Sequence, residues 1–220
     1  MDLMLHKGGT ANWGISLEAL EFIKNHLPSG ARTLETGAGI STIFFAKQGY
    51  RHTAVTPSAD EVERIKTACK EQEIDLSKVD FRISPSEMAL PAFNEPLDLV
   101  LIDGGHGFPV PQIDWYYGSR CLKVGGLLAV DDVPTWTGGI LRDFLRKQPG
   151  WTYLTTISAK TAFFRLDRAF QYTEWNEQPY VVSKSRVPRL LAKLSRLAAL
   201  IGNGDWQRIR QLLAKYIRGA

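Results

Sequence analysis

The sequence predicts an α/β protein in which helices cover both faces of a mainly parallel β-sheet. Short apolar runs, typical of buried strands, alternate with segments that carry apolar residues at helical spacing. The run at 97–102, Leu-Asp-Leu-Val-Leu-Ile, is almost wholly apolar, as expected for a strand that is covered on both faces. Two further runs, at 151–157 and 161–166, are separated only by Ser158-Ala159-Lys160, so the sheet is expected to close with a hairpin-like pair.

The helices are predicted from apolar residues that recur every three or four positions. In the first helix Leu17, Leu20 and Ile23 share one side, and the turn residues Pro28 and Gly30 end it. The predicted helices cover residues 16–25, 41–48, 60–72, 111–122 and 139–147.

The strands are predicted from short apolar runs bounded by turn residues. Gly37-Ala38-Gly39 follows the first strand, and Lys123-Val124-Gly125-Gly126 is expected to separate a helix from the fifth strand. The predicted strands cover residues 32–35, 52–55, 79–83, 97–102, 127–130, 151–157 and 161–166.

Composition places the chain among ordinary globular proteins. It has 220 residues, of which 44% are hydrophobic and 23% charged. A chain of this length can bury a full hydrophobic core without disulfides or stabilising metal ions. The two cysteines, Cys69 and Cys121, lack metal-ligand spacing and are interpreted as buried thiols in a reducing compartment. The sequence contains neither a signal peptide nor an apolar run long enough to span a membrane, and we expect a cytoplasmic protein.

Charge divides the chain unevenly. The net charge is +4, yet residues 180–220 contain nine basic residues and a single acid, Asp205, so the remainder is mildly acidic. We predict three parts: an α/β domain at 1–168, a connecting segment at 169–186 and a basic amphipathic helical hairpin at 187–220. The hairpin is expected from leucines at helical spacing on either side of Gly202-Asn203-Gly204.

The apolar faces of this hairpin must be buried against another surface. Docking within the protein or in a homodimer is the usual outcome for such helices. An anionic membrane surface or nucleic acid is the minority alternative. A basic segment attracts phosphates, but no nucleic-acid-binding motif with interleaved aromatic residues accompanies the charge.

The segment Leu34-Glu35-Thr36-Gly37-Ala38-Gly39-Ile40-Ser41-Thr42 carries the first functional signal. A strand must turn into a helix here, and Gly37 and Gly39 let a ligand approach the backbone. The free N–H groups at the start of the helix suit a carboxylate. A nucleotide-type site is favoured over a packing turn, because the glycines stand between a strand and a helix and follow the acidic Glu35.

Two common nucleotide sites do not fit this loop. A dinucleotide fingerprint, GxGxxG, requires glycine where Thr42 stands, which disfavours NAD. A phosphate-binding loop of the Walker type requires Gly-Lys followed by Ser or Thr, and this too is missing from the segment.

Three ordered motifs carry a family resemblance: "LETGAGIST", "LDLVLIDGGHG" and "LKVGGLLAVDDV". Together they resemble class I S-adenosylmethionine-dependent methyltransferases, in particular a small bacterial group that reads "E-G-G-S-T … DGGH … GG-DD" and metal-dependent O-methyltransferases. The resemblance covers about residues 17–166. It implies a Rossmann-like, seven-stranded sheet that is mainly parallel and has an antiparallel last strand.

The resemblance also implies a cofactor site for S-adenosylmethionine. In such enzymes the glycine loop holds the methionine part, and the position of Glu35 orients it. The acid that usually binds the ribose hydroxyls is missing after the second strand, and Thr56 or Asp60 could take its role. Ser86-Glu87 occupy the region that usually contacts adenine, with helix capping as the alternative interpretation. The cofactor-binding residues so predicted are Glu35, Thr36, Gly37, Ala38, Gly39, Ser41, Thr42, Thr56, Ser86, Glu87, Asp103 and Gly104.

Three aspartates follow neighbouring strands. Asp103 follows one buried strand, and Asp131-Asp132 follow the next, so their carboxylates should meet at the carboxyl edge of the sheet. Like charges there repel unless a cation intervenes, and oxygen ligands suit Mg²⁺. The spacing resembles that of catechol-type and sugar O-methyltransferases, which implies a metal held by all three aspartates. The alternative is that Asp103 serves only the cofactor and that Asp131-Asp132 cap the following helix.

Two further residues are candidates for contact with the acceptor. His106 shares the loop of Asp103 and could take a proton from a nucleophile, with packing as the alternative. Trp136 falls in the loop that would wall a substrate pocket.

The function predicted from these observations is methyl transfer from S-adenosylmethionine to an oxygen of a small hydroxylated molecule or sugar, assisted by Mg²⁺. One alternative is a metal-free N- or O-methyltransferase that uses His106. The other is a non-catalytic, methyltransferase-like binding module recruited through its basic tail.

Overall fold

A computed structural model describes residues 14–211 of the chain. The first half contains α1 (Leu17–His26), β1 (Arg32–Thr36), α2 (Ile40–Lys47), β2 (Arg51–Thr56), α3 (Ala59–Glu71), β3 (Val79–Ile83) and the single-turn α4 (Ser86–Ala89). The second half contains β4 (Leu97–Ile102), α5 (Val110–Cys121), β5 (Leu122–Val130), α6 (Trp136–Leu145), β6 (Trp151–Ile157), β7 (Thr161–Leu166) and α7 (Pro179–Gly202). Short 3₁₀ turns occupy Leu90–Ala92 and Trp175–Glu177.

The seven strands form one sheet in the order β3-β2-β1-β4-β5-β7-β6. All neighbouring pairs are parallel except those that involve β7, which is antiparallel to both β5 and β6. The predicted mainly parallel, Rossmann-like sheet with an antiparallel last strand is therefore confirmed. Strand order reverses between β1 and β4, and in open α/β sheets this switch point is where ligands bind.

The central strands are apolar because both of their faces are covered. Val100 and Ile102 of β4 belong to one buried cluster, whereas Leu99 and Leu101 belong to the cluster on the other side. Phe163 of β7 lies in that second cluster and is fully buried. Burial on alternate sides explains why the run at 97–102 shows no polar alternation.

Two predicted boundaries of the α/β part were wrong. The fifth strand starts at Leu122, not at residue 127, because Lys123 to Gly126 continue it past an irregularity in its pairing with β4. Helix α6 starts at Trp136 rather than Gly139, because the side chain of Thr135 accepts a hydrogen bond from the Gly138 N–H and caps the helix there.

The C-terminal part also differs from its prediction. Chain contacts divide the protein after Tyr172, and helix α7 begins at Pro179 instead of Val187, within the predicted connecting segment at 169–186. Pro179 occupies the first turn, where its missing N–H costs nothing, and the helix continues through Pro188. After the predicted break, residues 206–211 are helical again. The remaining apolar positions of the predicted hairpin, Leu212, Leu213, Tyr216 and Ile217, lie outside the described residues.

Across residues 14–211, no helix combines the length and the apolar character that crossing a membrane requires.

A buried acid on α5 lies among the packed elements. Asp114 is fully buried, and burial raises its pKa to about 6, although the hydroxyl groups of Ser86 and Thr36 act in the opposite direction. In the unfolded chain the group returns to its ordinary value of 3.8. The folded state therefore binds this proton more tightly, and the contribution of Asp114 to stability is full below pH 4 and is lost as the pH rises through about 6.

We expect Asp114→Asn to increase the free energy of unfolding at pH 8 by about 2–3 kcal/mol, because it removes a buried charge, and to give no such gain at pH 4. Urea unfolding at both pH values measures the difference. The matched control is Asp80→Asn on the exposed edge, which should show no gain at either pH. An equal effect of Asp114→Asn at both pH values would contradict the assignment.

Candidate active site

The glycine loop between β1 and α2 lies directly against the loop that follows β4. The Asp103 N–H donates to the Thr36 carbonyl at 3.1 Å, and the Gly37 N–H donates to the Val55 carbonyl at 2.8 Å. Gly37 has a φ of +102°, and a Cβ there would lie 2.6 Å from the Asp103 carbonyl oxygen. A Cβ on Gly104 would meet the backbone of Thr36 at 3.1 Å. Only glycine permits this approach of the two loops.

Glu35 lies beneath the loop and is 1% exposed. Its two carboxylate oxygens accept hydrogen bonds from the hydroxyls of Ser41 and Thr42 in the first turn of α2. Thr42 in turn accepts a hydrogen bond from the Gly39 N–H at 3.0 Å. Glu35 therefore ties the strand to the helix on either side of the glycines and fixes the shape of the loop.

His52 on β2 completes this buried network. Its Nε2 donates to Glu35 Oε1 at 3.0 Å, and its Nδ1 lies 2.8 Å from the Thr33 hydroxyl. The sequence analysis assigned no function to His52. Only its position as a titratable residue inside a central strand could have indicated a buried partner.

A cavity of about 550 Å³ opens above the glycine loop at the switch point. This volume is typical of small-molecule sites. Ten of the twelve predicted cofactor residues line it; Glu35 and Thr42 do not, and support the loop from below. The ten are Thr36, Gly37, Ala38, Gly39, Ser41, Thr56, Ser86, Glu87, Asp103 and Gly104.

An acid that the sequence analysis missed lies next to the end of β2. Glu61 on α3 lines the cavity, and its carboxylate accepts a hydrogen bond from the Thr56 hydroxyl at 2.9 Å. Asp60, the acid that the sequence suggested, is exposed and does not line the cavity. One helical position separates them, and the helix N-terminus directs Glu61, not Asp60, back toward the strand.

The three aspartates meet at the carboxyl edge of the sheet, but they do not play equal parts. Asp103 and Asp132 line the cavity, whereas Asp131 is buried behind it. Asp131 accepts a hydrogen bond from the Thr161 hydroxyl and lies 2.7 Å from the ammonium group of Lys160, which is also 3.5 Å from Asp132. Both partners of Asp131 come from the start of β7, so the antiparallel hairpin delivers a cation to this cluster.

The charges of this cluster shift the pKa of its members in different directions. Burial and the neighbouring Asp131 raise the pKa of Asp103 well above its usual range. The hydrogen bond from His106, together with the charge of Lys160, holds the pKa of Asp132 below its usual value. Burial disfavours the ammonium form of Lys160, but contact with Asp131 and Asp132 outweighs this and raises its pKa. Lys160 therefore stays charged and partly neutralises the acids.

His106 lines the cavity and pairs with Asp132, with 2.9 Å between Nε2 and Oδ2. Its backbone carbonyl accepts a hydrogen bond from Thr137 at 2.7 Å, which fastens the histidine loop to the start of α6. One ligand atom each from Asp103, His106 and Asp132 lie within 4.8 Å of one another. The cluster that could hold a metal thus contains His106 in place of the predicted Asp131.

Trp136 does not line the cavity. Its ring is 69% exposed and stands 6.0 Å from the ring of Phe108, itself 68% exposed, so the two form an aromatic pair on the surface. Phe108 follows His106 by two residues and Trp136 precedes Thr137, so this pair flanks the histidine loop.

Part of the chain matches a described protein family. Residues 34–133 match the family described as "Methyltransferase domain". Among curated protein sequences, none matches the chain significantly.

Solved structures match the fold at low sequence identity. Cofactor-bound Rv0187 from MTB is 22% identical, with a TM-score of 0.56, and the match covers 70% of this chain and 83% of that one. The O-methyltransferase TomG from Streptomyces achromogenes, solved with SAM, is 16% identical with a TM-score of 0.59, covering 72% and 83%. An rRNA methylase from Streptococcus thermophilus is 15% identical with a TM-score of 0.54, covering 69% and 95%.

The matched segment begins in β1 and ends after Asp132, so it contains the glycine loop, the switch point and the acidic edge of the sheet. The seven-stranded order with an antiparallel β7 agrees with the fold of the matching structures. Residues 34–133 therefore resemble the methyltransferase domain, and the chain shares the fold of the matching structures.

Proposed function

We propose that this protein transfers the methyl group of S-adenosylmethionine to a hydroxyl oxygen of a small acceptor. The observation that carries the proposal is that the His106–Asp132 pair lines the same cavity as the glycine loop. A proton acceptor and a cofactor cradle in one cavity are what methylation of a hydroxyl requires.

The residues of the cavity fit the cofactor. The close approach of Gly37 to the Asp103 backbone leaves bare main chain at the cavity wall, and the start of α2 offers free N–H groups for a carboxylate. Ser86 and Glu87 line the opposite part of the cavity and would contact the adenine. When bound, the cofactor supplies a methyl group on a positively charged sulfur, which is open to attack by an oxygen nucleophile.

Glu61 would hold the ribose in place of the acid missing from the end of β2. A carboxylate can accept hydrogen bonds from both hydroxyls of a vicinal diol. The hydrogen bond from the Thr56 hydroxyl keeps the Glu61 side chain at the cavity wall. The carboxylate thus reaches the usual place from the first turn of a helix.

His106 would receive the proton of the acceptor hydroxyl. Asp132 binds one ring nitrogen at 2.9 Å and orients the imidazole, while Thr137 fixes the backbone of the same residue. An imidazolium formed on proton transfer would be stabilised by the adjacent Asp132 carboxylate. Lys160 reduces the repulsion among the aspartates.

A divalent cation is a second candidate for the same edge, and one observation favours it: the donor set of Asp103, His106 and Asp132. Two carboxylates and an imidazole suit ions such as Mn²⁺ as well as Mg²⁺. Burial and the neighbouring Asp131 raise the pKa of Asp103, and a bound cation would offset the negative charge of both carboxylates. A bound cation would act as a Lewis acid and lower the pKa of a coordinated hydroxyl.

The class of acceptor is inferred from the surroundings of the site. The Phe108–Trp136 pair offers an apolar surface beside His106, which suits a ring, either phenolic or pyranose. TomG is involved in tomaymycin synthesis, and another matching structure is an rRNA methylase. We favour a small hydroxylated molecule or sugar because the described residues that line the cavity include no lysine or arginine to bind a polyanion.

We expect Gly37→Ala to weaken the binding of S-adenosylhomocysteine at least tenfold, because the new methyl group collides with the Asp103 carbonyl and the backbone conformation disfavours alanine. Isothermal titration calorimetry measures the affinity, and circular dichroism verifies folding. Gly202→Ala is the control, since a Cβ there meets nothing within 4 Å. Native affinity in a folded Gly37→Ala protein would exclude the loop as the cradle.

Glu61→Gln should lower the affinity for S-adenosylhomocysteine about ten- to hundredfold, because hydrogen bonds to a charged acceptor contribute about 1.5–3 kcal/mol. The control is Glu63→Gln, which alters an exposed acid on the same helix. If adenosine, which retains the ribose, binds both variants equally well, the ribose assignment fails.

His106→Gln should lower kcat about a hundredfold or more and leave the affinity for S-adenosylhomocysteine within twofold, since general bases typically contribute that much. Transfer of labelled methyl to a panel of acceptors that includes a catechol and a methyl glycoside measures the rate. His26→Gln, at an exposed helix end, is the control.

The same assay, run after treatment with EDTA, separates the two candidates. Unchanged turnover supports the metal-free base, whereas loss of turnover that MgCl₂ or MnCl₂ restores supports the cation. Absence of transfer to every acceptor, with native ligand affinity, would favour the non-catalytic binding module.

A further inference from the structure

Helix α7 carries an apolar stripe that is exposed along its length. At 100° per residue the stripe spans an arc of about 120°. Its six large side chains are each between 40% and 64% exposed: Val187, Leu190, Leu191, Leu194, Leu197 and Ile201. A stripe of this size on one helix indicates an interaction surface.

Cations flank the stripe. Arg186, Arg189, Lys193 and Arg196 fall on the adjoining arc, and Lys184 falls on the other side. The 24 residues of the helix contain no acid. The surface therefore combines exposed leucines with a purely positive border.

These charges oppose a second copy of the same helix. Five positions of the stripe alternate in spacing by three and four residues, which would suit a coiled coil. In such a pair the residues that flank the seam would be Arg186 and Lys193, with no acid on the partner helix to meet them. In an antiparallel pair, like charges would then face each other across the seam. In a parallel pair, Arg186 and Lys193 would face only apolar positions such as Leu191 and Ala198.

We propose that α7 lies on an anionic membrane surface, with its leucines in the interface and its cations against lipid phosphates. One planar surface accepts the apolar stripe and the positive border at the same time, which is the usual arrangement of interfacial helices. Trp175 precedes the helix and Trp206 follows it, both exposed, and aromatic rings of this kind favour the headgroup region.

Flotation of the full-length chain with lipid vesicles tests the proposal. Vesicles of phosphatidylcholine with 30% phosphatidylglycerol should bind the protein at 0.1 M NaCl, and pure phosphatidylcholine should bind it at least tenfold less. Arg189→Gln, Lys193→Gln and Arg196→Gln combined should weaken binding about a hundredfold, since each cation near an anionic surface contributes about 1 kcal/mol. Leu190→Gln, Leu194→Gln and Leu197→Gln combined should weaken it by at least tenfold.

Two matched controls lie outside α7. Lys24→Gln, Lys66→Gln and Lys70→Gln remove three exposed charges, and Leu17→Gln removes an exposed leucine; both proteins should bind like the native chain. If every variant binds S-adenosylhomocysteine with the affinity of the native protein, the α/β part is intact.

Three outcomes would overturn the proposal: equal binding to neutral and anionic vesicles, binding that survives the leucine substitutions, or a stable dimer by light scattering that those substitutions dissolve. RNA binding that depends on the three cations but not on the leucines, without vesicle binding, would also overturn it.

Discussion

The site depends on the contact between the ends of β1 and β4. The Asp103 N–H bonds to the Thr36 carbonyl, and the Gly37 backbone fits so closely against Asp103 that any side chain there would collide with it. Because the two strands are neighbours at the switch point, this contact sets the cofactor loop beside the acidic edge of the sheet. The glycine loop and His106 therefore line the same cavity.

The backbone conformation at Gly37 is held by a network centred on Glu35, which lies beneath the residues that line the cavity. Glu35 joins β1 to the first turn of α2, and His52 of β2 fixes Glu35 from the other side. Three elements thus meet at one carboxylate. A buried polar network of this kind specifies a single conformation when all its members are bonded, and here it specifies the shape of the loop.

The acidic edge shows how the last hairpin serves the site. Three aspartates in this space would repel one another, and the turn before β7 brings Lys160 to Asp131 and Asp132. Asp131 is thereby committed to structure, which leaves Asp103, Asp132 and His106 to face the cavity. The antiparallel direction of β7 is required for this, because it starts, not ends, at the carboxyl edge of the sheet.

Sequence patterns predicted what depends on local order along the chain. The glycine loop, Asp103, Asp132 and His106 all follow strands whose periodicity is clear, so their meeting at one edge followed from topology. Glu61 and Lys160 were missed because they reach the site from a helix turn and a hairpin turn, and such approaches depend on tertiary geometry. The start of α7 was placed too late for another reason: the amphipathic stripe begins at Val187, whereas the helix itself begins at Pro179.

The most direct test of the account is a crystal structure of the protein with S-adenosylhomocysteine. The account predicts that the ligand lies in the switch-point cavity, with its carboxylate near the start of α2, its ribose hydroxyls on Glu61 and its sulfur on the side of His106. A ligand bound elsewhere, or a glycine loop filled by the protein's own side chains, would contradict it.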